Sequence, residues 1–124
     1  LSCYCFPEGH LEKGESIIEC AIRETEEETL RSIKIINKEP LGILNYTDSK
    51  NIKNKLYFYL AEDKGVLNRT ILDKDREDMI WINKDKVLNI LTYQNLKDFY
   101  KNIKNIIDFY VQYYDTCYKG QKML

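Results

Sequence analysis

The sequence predicts a domain of the α/β or α+β class, in which a few strands pack against helices. Apolar residues recur at helical spacing in the last third of the chain and predict a long amphipathic helix over 96–113. Short segments rich in β-branched and aromatic residues occur between residues 33 and 61 and predict strands. With 124 residues, 44% of them hydrophobic, we expect one domain over 1–124.

The remaining elements can be placed in chain order. Residues 1–7 are expected to end a strand and to enter a glycine-containing loop over 8–15. Ser16 and Glu19 form the capping-box pattern, so a helix is predicted to begin after Ser16 and to run to about Arg31. The predicted strands are 33–36, 41–46, 55–61 and 78–82, with a polar turn at 48–54 and a short helix at 84–91.

Composition excludes several classes of function. No stretch approaches the ~20 apolar residues of a membrane span, and a net charge of −1 gives no basic field for nucleic acid. The single histidine, His10, excludes a site with two histidine ligands. The four cysteines show no C-x-x-C spacing and are interpreted as free thiols of a reducing, cytoplasmic compartment. Because the chain starts at Leu1, we expect N-terminal residues, and with them N-terminal strands, to be missing.

An unusual concentration of acid lies over residues 8–28, where eight glutamates face only Lys13 and Arg23. At about 100° per residue, Glu24, Glu27 and Glu28 share a helix face about 100° wide. Like charges at these spacings repel unless a cation neutralises them, and oxygen-only ligands suit Mg²⁺ or Mn²⁺ rather than zinc. From geometry alone, a metal site and a solvated acidic face remain equal alternatives.

The spacing of these residues resembles the sequence box of the Nudix hydrolase family: Gly9, Glu15, Arg23-Glu24 and Glu27-Glu28. The resemblance implies the Nudix fold, an α/β/α sandwich around a mixed sheet.

The chain departs from this box at two positions. Thr25 replaces an aliphatic residue, and Leu30 stands where a glycine normally follows. Loss of that glycine removes a favourable left-handed helix stop. We therefore expect a distorted helix end, with the acidic cluster upstream retained.

The resemblance also implies roles for individual residues. Mg²⁺, with Mn²⁺ as a substitute, would neutralise the phosphoryl oxygens and activate a water, from which a carboxylate takes the proton. Glu28 is the first candidate for that base and Asp75, six residues before Trp81, the second, with Glu77 and Asp78 as rivals. The implied metal ligands are Gly9 (through its carbonyl), Glu15, Glu24, Glu27 and Glu28; the implied catalytic set is Glu28, Glu27, Asp75 and Arg23, the last orienting a box glutamate.

The loop over 6–15 is similar to the Pro-Lys-Gly-His-Val-Glu-Pro-Gly-Glu loop of asymmetrical diadenosine tetraphosphate (Ap4A) hydrolases. This likeness implies cleavage of Ap4A to ATP and AMP, a small nucleotide as the binding partner, and no obligate protein partner. The implied substrate-binding residues are Tyr46 and Tyr93, which would sandwich an adenine, Lys53 or Lys55 at the phosphates, and His10. Glu8 stands where the subfamily usually has lysine, and a carboxylate there would repel phosphate.

Alternatives remain at this point. The same chemistry could act on diphosphoinositol polyphosphates or capped RNA, although the former favours a basic pocket and the latter an RNA-tracking surface. A Nudix module that binds nucleotide without turnover is the alternative from another class. Retention of the costly cluster of like charges argues against that module.

Overall fold

The computed structural model describes residues 4–71 and 79–122, with side chains described as far as residue 113. Its elements are α1 (Ile17–Thr29), β1 (Arg31–Ile35), β2 (Gly42–Thr47), β3 (Lys53–Phe58), β4 (Ala61–Val66), α2 (Val87–Ile90) and α3 (Gln94–Lys122). Helices combined with strands agree with the α/β prediction. Within the described ranges, no helix is both long and apolar enough to cross a membrane.

Helix α1 begins at the predicted capping box. The Ser16 hydroxyl accepts a hydrogen bond from the Glu19 amide at 3.1 Å, and the Glu19 carboxylate accepts one from the Ser16 amide at 3.3 Å. At the other end Leu30 adopts the left-handed conformation itself, with φ 58°, and its amide donates to the Glu26 carbonyl at 2.9 Å. The prediction of a distorted helix end is therefore wrong, because Leu30 adopts the left-handed conformation that a glycine would adopt with less strain. The left-handed conformation costs a non-glycine residue about 1–2 kcal/mol.

The strands form two antiparallel pairs, β1 with β4 and β2 with β3. The predicted strand over 55–61 is interrupted after Phe58, and its last residue begins β4. Strand β4 escaped prediction because its sequence, AEDKGV, has little intrinsic β propensity and is held by pairing with β1.

Two predicted strands do not form within the described residues. Residues 79–82 of the predicted strand 78–82 are not in a strand, and residue 78 lies outside the described ranges. Residues 4–7 are also not in a strand. Instead, the Tyr4 amide donates to the Thr92 hydroxyl at 2.7 Å, and the Thr92 amide donates to the Tyr4 carbonyl at 3.2 Å. Tyr4 is thus held by two hydrogen bonds to Thr92 and not by the strand pairing that was predicted for residues 1–7.

The core forms around α3, and it holds the start of the loop over 8–15. Six residues of this region are buried: Val87, Leu91, Leu96, Phe99, Tyr100 and Ile103. The ring centroids of Phe58 in β3 and Phe99 lie 4.6 Å apart with the rings tilted, and those of Phe6 and Phe58 lie 5.7 Å apart, edge to face. The apolar stripe of the predicted long helix is buried at Leu96, Phe99, Tyr100 and Ile103. Ile106, which belongs to the same stripe, is 41% exposed. Because Phe6 is packed in this cluster, the loop that follows it starts from a fixed point.

Gly42 at the start of β2 should tolerate no larger residue. A Cβ there would lie 2.8 Å from Cζ and 2.9 Å from Cε2 of Phe99, whose ring already packs on Phe58. We expect Gly42→Ala to lower the free energy of unfolding by about 1–2 kcal/mol through overpacking, measured by urea denaturation. Thr47→Ala, at the exposed end of the same strand, is the control and should stay within about 0.5 kcal/mol of the parent. Equal stability of Gly42→Ala and parent would show that Phe99 is not held in place.

Candidate active site

The loop over 8–15 lies directly against the acidic face of α1. A Cβ at Gly9 would overlap the carboxyl group of Glu24, so a larger residue there would require the Glu24 side chain to move away from the loop. The turn that returns the chain to the helix is closed by the Glu15 amide, which donates to the Glu12 carbonyl at 3.1 Å, with Gly14 at φ 80°. The two glycines thus have different tasks, a close approach and a left-handed turn.

Arg23 joins this loop to the helix through all three of its nitrogen atoms. Its Nε and Nη2 donate to the two carboxylate oxygens of Glu15, at 2.6 and 3.0 Å. Nη2 also donates to the His10 carbonyl at 3.0 Å. Nη1 donates to Glu24 at 2.6 Å and to Glu27 at 3.3 Å. The side chains of Arg23 and Glu15 are only 20% and 12% exposed, so this is a well-shielded, bidentate ion pair.

The ion pair shifts the titration of both partners. Hydrogen bonds from Arg23 and from the Glu12 amide lower the pKa of Glu15 to about 2. The same carboxylate is the main cause that raises the pKa of Arg23 further above its ordinary value. Glu15 is therefore ionised at any pH at which the protein is expected to function.

Glu28 lies on the same helix and has a different partner. Its Oε2 accepts a hydrogen bond from the Glu8 amide at 3.3 Å. The three acidic residues of the predicted face thus divide in the structure, Glu24 and Glu27 toward Arg23 and Glu28 toward the loop.

The donors in this region are chemically suited to a hard divalent cation, because all are oxygen atoms. Glu24, Glu27 and Glu28 lie on one helix, and Gly9 brings backbone against Glu24. Within the part of the chain that the structure describes, however, no three histidine, cysteine or acidic side chains are arranged to hold a metal ion. The residue types therefore fit, but Glu24 and Glu27 would have to turn from Arg23 toward the cation.

A cavity of about 700 Å³ opens beside the acidic face. It is lined by residues of the loop, of α1 and of both strand pairs, among them Glu8, His10, Glu24, Tyr46 and Asn54. Burial, and secondarily the charge of Glu8, raise the pKa of Tyr46, so its hydroxyl stays neutral. A half-buried aromatic residue thus shares one cavity with a candidate metal-binding carboxylate.

Strand alternation separates the predicted lysines from Tyr46. Tyr46 pairs with Asn54 across the β2–β3 ladder, so Lys53 and Lys55 project from the other face of this ribbon. Both lysines nevertheless line an adjoining cavity of about 550 Å³ that also includes Tyr46, and Lys55 lines the larger cavity too. The two lysines therefore lie at the edge of the candidate pocket, on the opposite face of the ribbon from the Tyr46 ring.

Of the remaining predicted site residues, one lines the cavity, one does not, and Asp75 lies outside the described residues. His10 lines the larger cavity and supplies its carbonyl to Arg23. Tyr93 is 52% exposed just before α3 and is not among the residues that line either cavity. Asp75 and its rivals Glu77 and Asp78 lie outside the described residues.

Two residues of the site were not singled out from the sequence. Cys20, buried in α1, directs its thiol at the Gly9 carbonyl with a separation of 3.7 Å, and burial raises the pKa of that thiol. Asn54 lies opposite Tyr46 on the cavity side of its ribbon. The helical wheel places Cys20 one turn before Glu24, but Asn54 required the strand register.

The shift of Glu15 predicts a dependence of stability on pH. Its folded pKa, about 2, lies below the ordinary value of 4.5, so its stabilising contribution is present above pH 4.5 and is lost as the pH falls toward 2. We expect Glu15→Gln to be less stable than the parent at pH 7 and to lose less stability between pH 5 and 2, as measured by urea denaturation across that range. Asp98→Asn on α3 is the control for a single charge change. An equally steep pH dependence in Glu15→Gln would rule out this ion pair as the cause.

The comparisons with known proteins agree with this geometry. The family model described as the NUDIX domain matches residues 2–103. The asymmetrical bis(5'-nucleosyl)-tetraphosphatase of Rattus norvegicus is 31% identical over 93 residues, and that of Sus scrofa is 31% identical over 97. Each alignment covers 73% of this chain and 63% of the relative. The chain thus spans less than two thirds of the curated relatives that it matches.

The extent of the family match includes the loop, α1, both strand pairs and the first part of α3. It therefore takes in the Arg23 cluster and both cavities described above. On this match, which covers most of its length, the chain belongs to the NUDIX domain family.

Proposed function

We propose that the protein is a Mg²⁺-dependent Nudix pyrophosphohydrolase that cleaves Ap4A asymmetrically to ATP and AMP. The observation that carries the proposal is the position of the carboxylate helix α1 against a cavity that contains Tyr46, with Gly9 packed on Glu24. Relatives named asymmetrical bis(5'-nucleosyl)-tetraphosphatase support this choice of substrate. Members of the family generally use divalent metal ions, and Mn²⁺ would serve as a substitute.

The reaction is hydrolysis of a phosphoanhydride bond by water. A bound divalent cation supplies charge neutralisation at the phosphoryl oxygens and lowers the pKa of water. Glu24, Glu27, Glu28 and the Gly9 carbonyl would hold it, as the chemistry of these donors allows. Glu28 would accept the proton of the attacking water on a carboxylate oxygen, because it shares α1 with the other two carboxylates and lies beside the loop, where its Oε2 accepts a hydrogen bond from the Glu8 amide.

Arg23 and Glu15 would act by position rather than by contact with substrate. Both oxygens of Glu15 are directed at Arg23, which favours a role as the anchor of that arginine over one as a metal ligand. This anchor fixes the loop over 8–15 on α1, because Arg23 also binds the His10 carbonyl. Asp75 remains the second candidate for the base.

Tyr46 would stack on a base of the nucleotide. Stacking of an aromatic side chain on a nucleobase contributes about 1–3 kcal/mol and tolerates different bases. Lys55 and His10, which line the same cavity, would meet the phosphate chain. Tyr93 would complete an adenine sandwich only if the region around it moved toward the cavity.

Glu8 gives a reason to keep a second candidate function. Its carboxylate lines the cavity in which phosphate would lie, and its charge acts on Tyr46. Repulsion between Glu8 and a polyphosphate would disfavour Ap4A and favour another phosphoanhydride substrate, or a nucleotide-binding Nudix module without turnover. Diphosphoinositol polyphosphates favour a basic pocket, and Glu8 makes this cavity less basic. Capped RNA, the other alternative, would bind in the same cavity.

The cytoplasm is the location that we propose. Cys20, buried in α1, is a free thiol in the described part of the chain. Free thiols are typical of a reducing compartment. A small nucleotide is the partner that this proposal requires.

The proposal predicts that Ap4A is hydrolysed only when Mg²⁺ is added. We expect ATP and AMP as products, separated by ion-exchange chromatography, and Glu28→Gln to lower kcat by about 10²–10⁴-fold, as loss of a general base does. The control is Glu39→Gln, an exposed carboxylate between β1 and β2. A capped dinucleotide and a diphosphoinositol phosphate run in parallel distinguish the other substrates.

Three outcomes would contradict parts of this proposal. Two ADP would mean symmetrical cleavage. Unchanged turnover in Glu28→Gln would remove Glu28 as the base. Metal binding without turnover of any of the three substrates would favour the nucleotide-binding module.

Tyr46 predicts a separate effect on substrate affinity. Tyr46→Ala removes the ring and should raise KM for Ap4A by roughly 5–150-fold, the equivalent of one lost stacking contact. Tyr46→Phe keeps the ring and should stay near the parent, which makes it the matched control in the same kinetic assay. Equal KM values for the alanine and phenylalanine variants would exclude stacking at this position.

A further inference from the structure

We infer that Arg23 acts as an internal cation that competes with the divalent metal ion for Glu24 and Glu27. The inference rests on the proposed function in one respect, that this helix binds a divalent cation. It goes further by assigning to Arg23 a control over metal affinity, in addition to its anchoring of the loop.

The shortest contacts of Arg23, those within 3.3 Å, separate into two groups. Two longer contacts cross this division: Nη2 lies 3.9 Å from the Cys20 thiol on α1, and Nη1 lies 3.6 Å from Glu12 of the loop. Nε and Nη2 bind Glu15 and the His10 carbonyl at 2.6–3.0 Å, and none of these groups lies on α1. Nη1 binds the helix carboxylates, Glu24 at 2.6 Å and Glu27 at 3.3 Å. Because the two groups of contacts use different nitrogen atoms, the second can be released while the first still holds the side chain in place.

The carboxylates that Nη1 holds are two of the three on α1 that are proposed to bind the metal ion. A single oxygen atom of Glu24 and one of Glu27 receive hydrogen bonds from the same nitrogen, which draws both side chains toward it. This explains why no three acidic side chains converge among the described residues. A metal ion that enters must therefore exchange places with Nη1 at these oxygens.

Charge gives this exchange a definite direction. Glu24, Glu27 and Glu28 repel one another at helix spacing, and either cation relieves that repulsion. A guanidinium fixed by Glu15 cannot leave the site, so its positive charge opposes a second cation nearby. Removal of that charge should strengthen metal binding. A purely structural role of Arg23 predicts the opposite, because loss of the anchor would disorder the ligands.

The test is the affinity of the intact protein for Mn²⁺, added as MnCl2, without any nucleotide. Electron paramagnetic resonance counts the free ion, and isothermal titration calorimetry gives Kd for Mg²⁺. We expect Arg23→Gln to bind Mn²⁺ about tenfold more tightly, which corresponds to one lost charge-assisted contact. The control is Arg31→Gln, since Arg31 makes an ion pair of similar type, at 3.1 Å to Asp63, away from the acidic face.

A second variant keeps the test decisive if Arg23→Gln does not fold. Arg23→Lys retains the charge but lacks the planar fork, so it cannot bind Glu15 through two nitrogens and Glu24 through a third. We expect its Kd to fall between those of the parent and the glutamine variant. Circular dichroism verifies the fold, and the rise in Tm on adding Mn²⁺ should be larger in both variants than in the parent.

The outcomes separate the two proposals. Tighter binding in the Arg23 variants supports the competition. Unchanged or weaker binding in both variants, with normal binding by the parent, overturns the competition and leaves the proposed function intact. Absence of binding in the parent overturns the metal requirement of the proposed function and this inference with it.

Discussion

The bidentate ion pair of Arg23 with Glu15 is the contact on which the candidate site depends. The loop over 8–15 contains glycines and charged residues and has little apolar surface of its own to bury. It is held on α1 because one arginine binds a loop carboxylate, a loop carbonyl and two helix carboxylates at once. The hydrogen bonds from Arg23 and from the Glu12 amide stabilise the charged carboxylate, as the low pKa of Glu15 indicates. Without this arginine, the acidic face of α1 would lack its internal cation, and the loop its fixed position.

The rest of the fold brings an aromatic surface to that acidic face. The cluster of Phe6, Phe58 and Phe99 fixes the start of the loop and the end of β3 against α3. The β2–β3 ladder then places Tyr46 on the cavity side, opposite Asn54. The core and the site are therefore connected through the packed rings of these phenylalanines and through the antiparallel pairing of β2 with β3. The pocket combines an aromatic wall at Tyr46 with the Glu24 carboxylate of α1.

The departures from the family box have unequal consequences. Leu30 ends α1 in the left-handed conformation with its amide bonded to Glu26, so the missing glycine costs conformational energy and leaves the geometry intact. Glu8 alters the charge of the cavity itself, where a lysine would have attracted phosphate. The first change concerns stability alone, whereas the second bears on the choice of substrate. Family membership therefore leaves the question of the substrate to residues within the pocket.

The sequence by itself determined the local features: the capping box at Ser16, the existence of α3 over 96–113, most of its buried face and the carboxylates shared by one face of α1. These follow from helical periodicity and from hydrogen bonds within a few residues, which neighbours in sequence can decide. The extension of α3 to Lys122 was not predicted. Tertiary structure alone decided that β4 pairs with β1 despite its weak propensity, and that Lys53 and Lys55 lie on the face opposite Tyr46. It also decided that Glu24 and Glu27 turn toward Arg23. Strand register and the rotamers of long charged side chains depend on partners brought from elsewhere in the chain, and sequence spacing does not specify those partners.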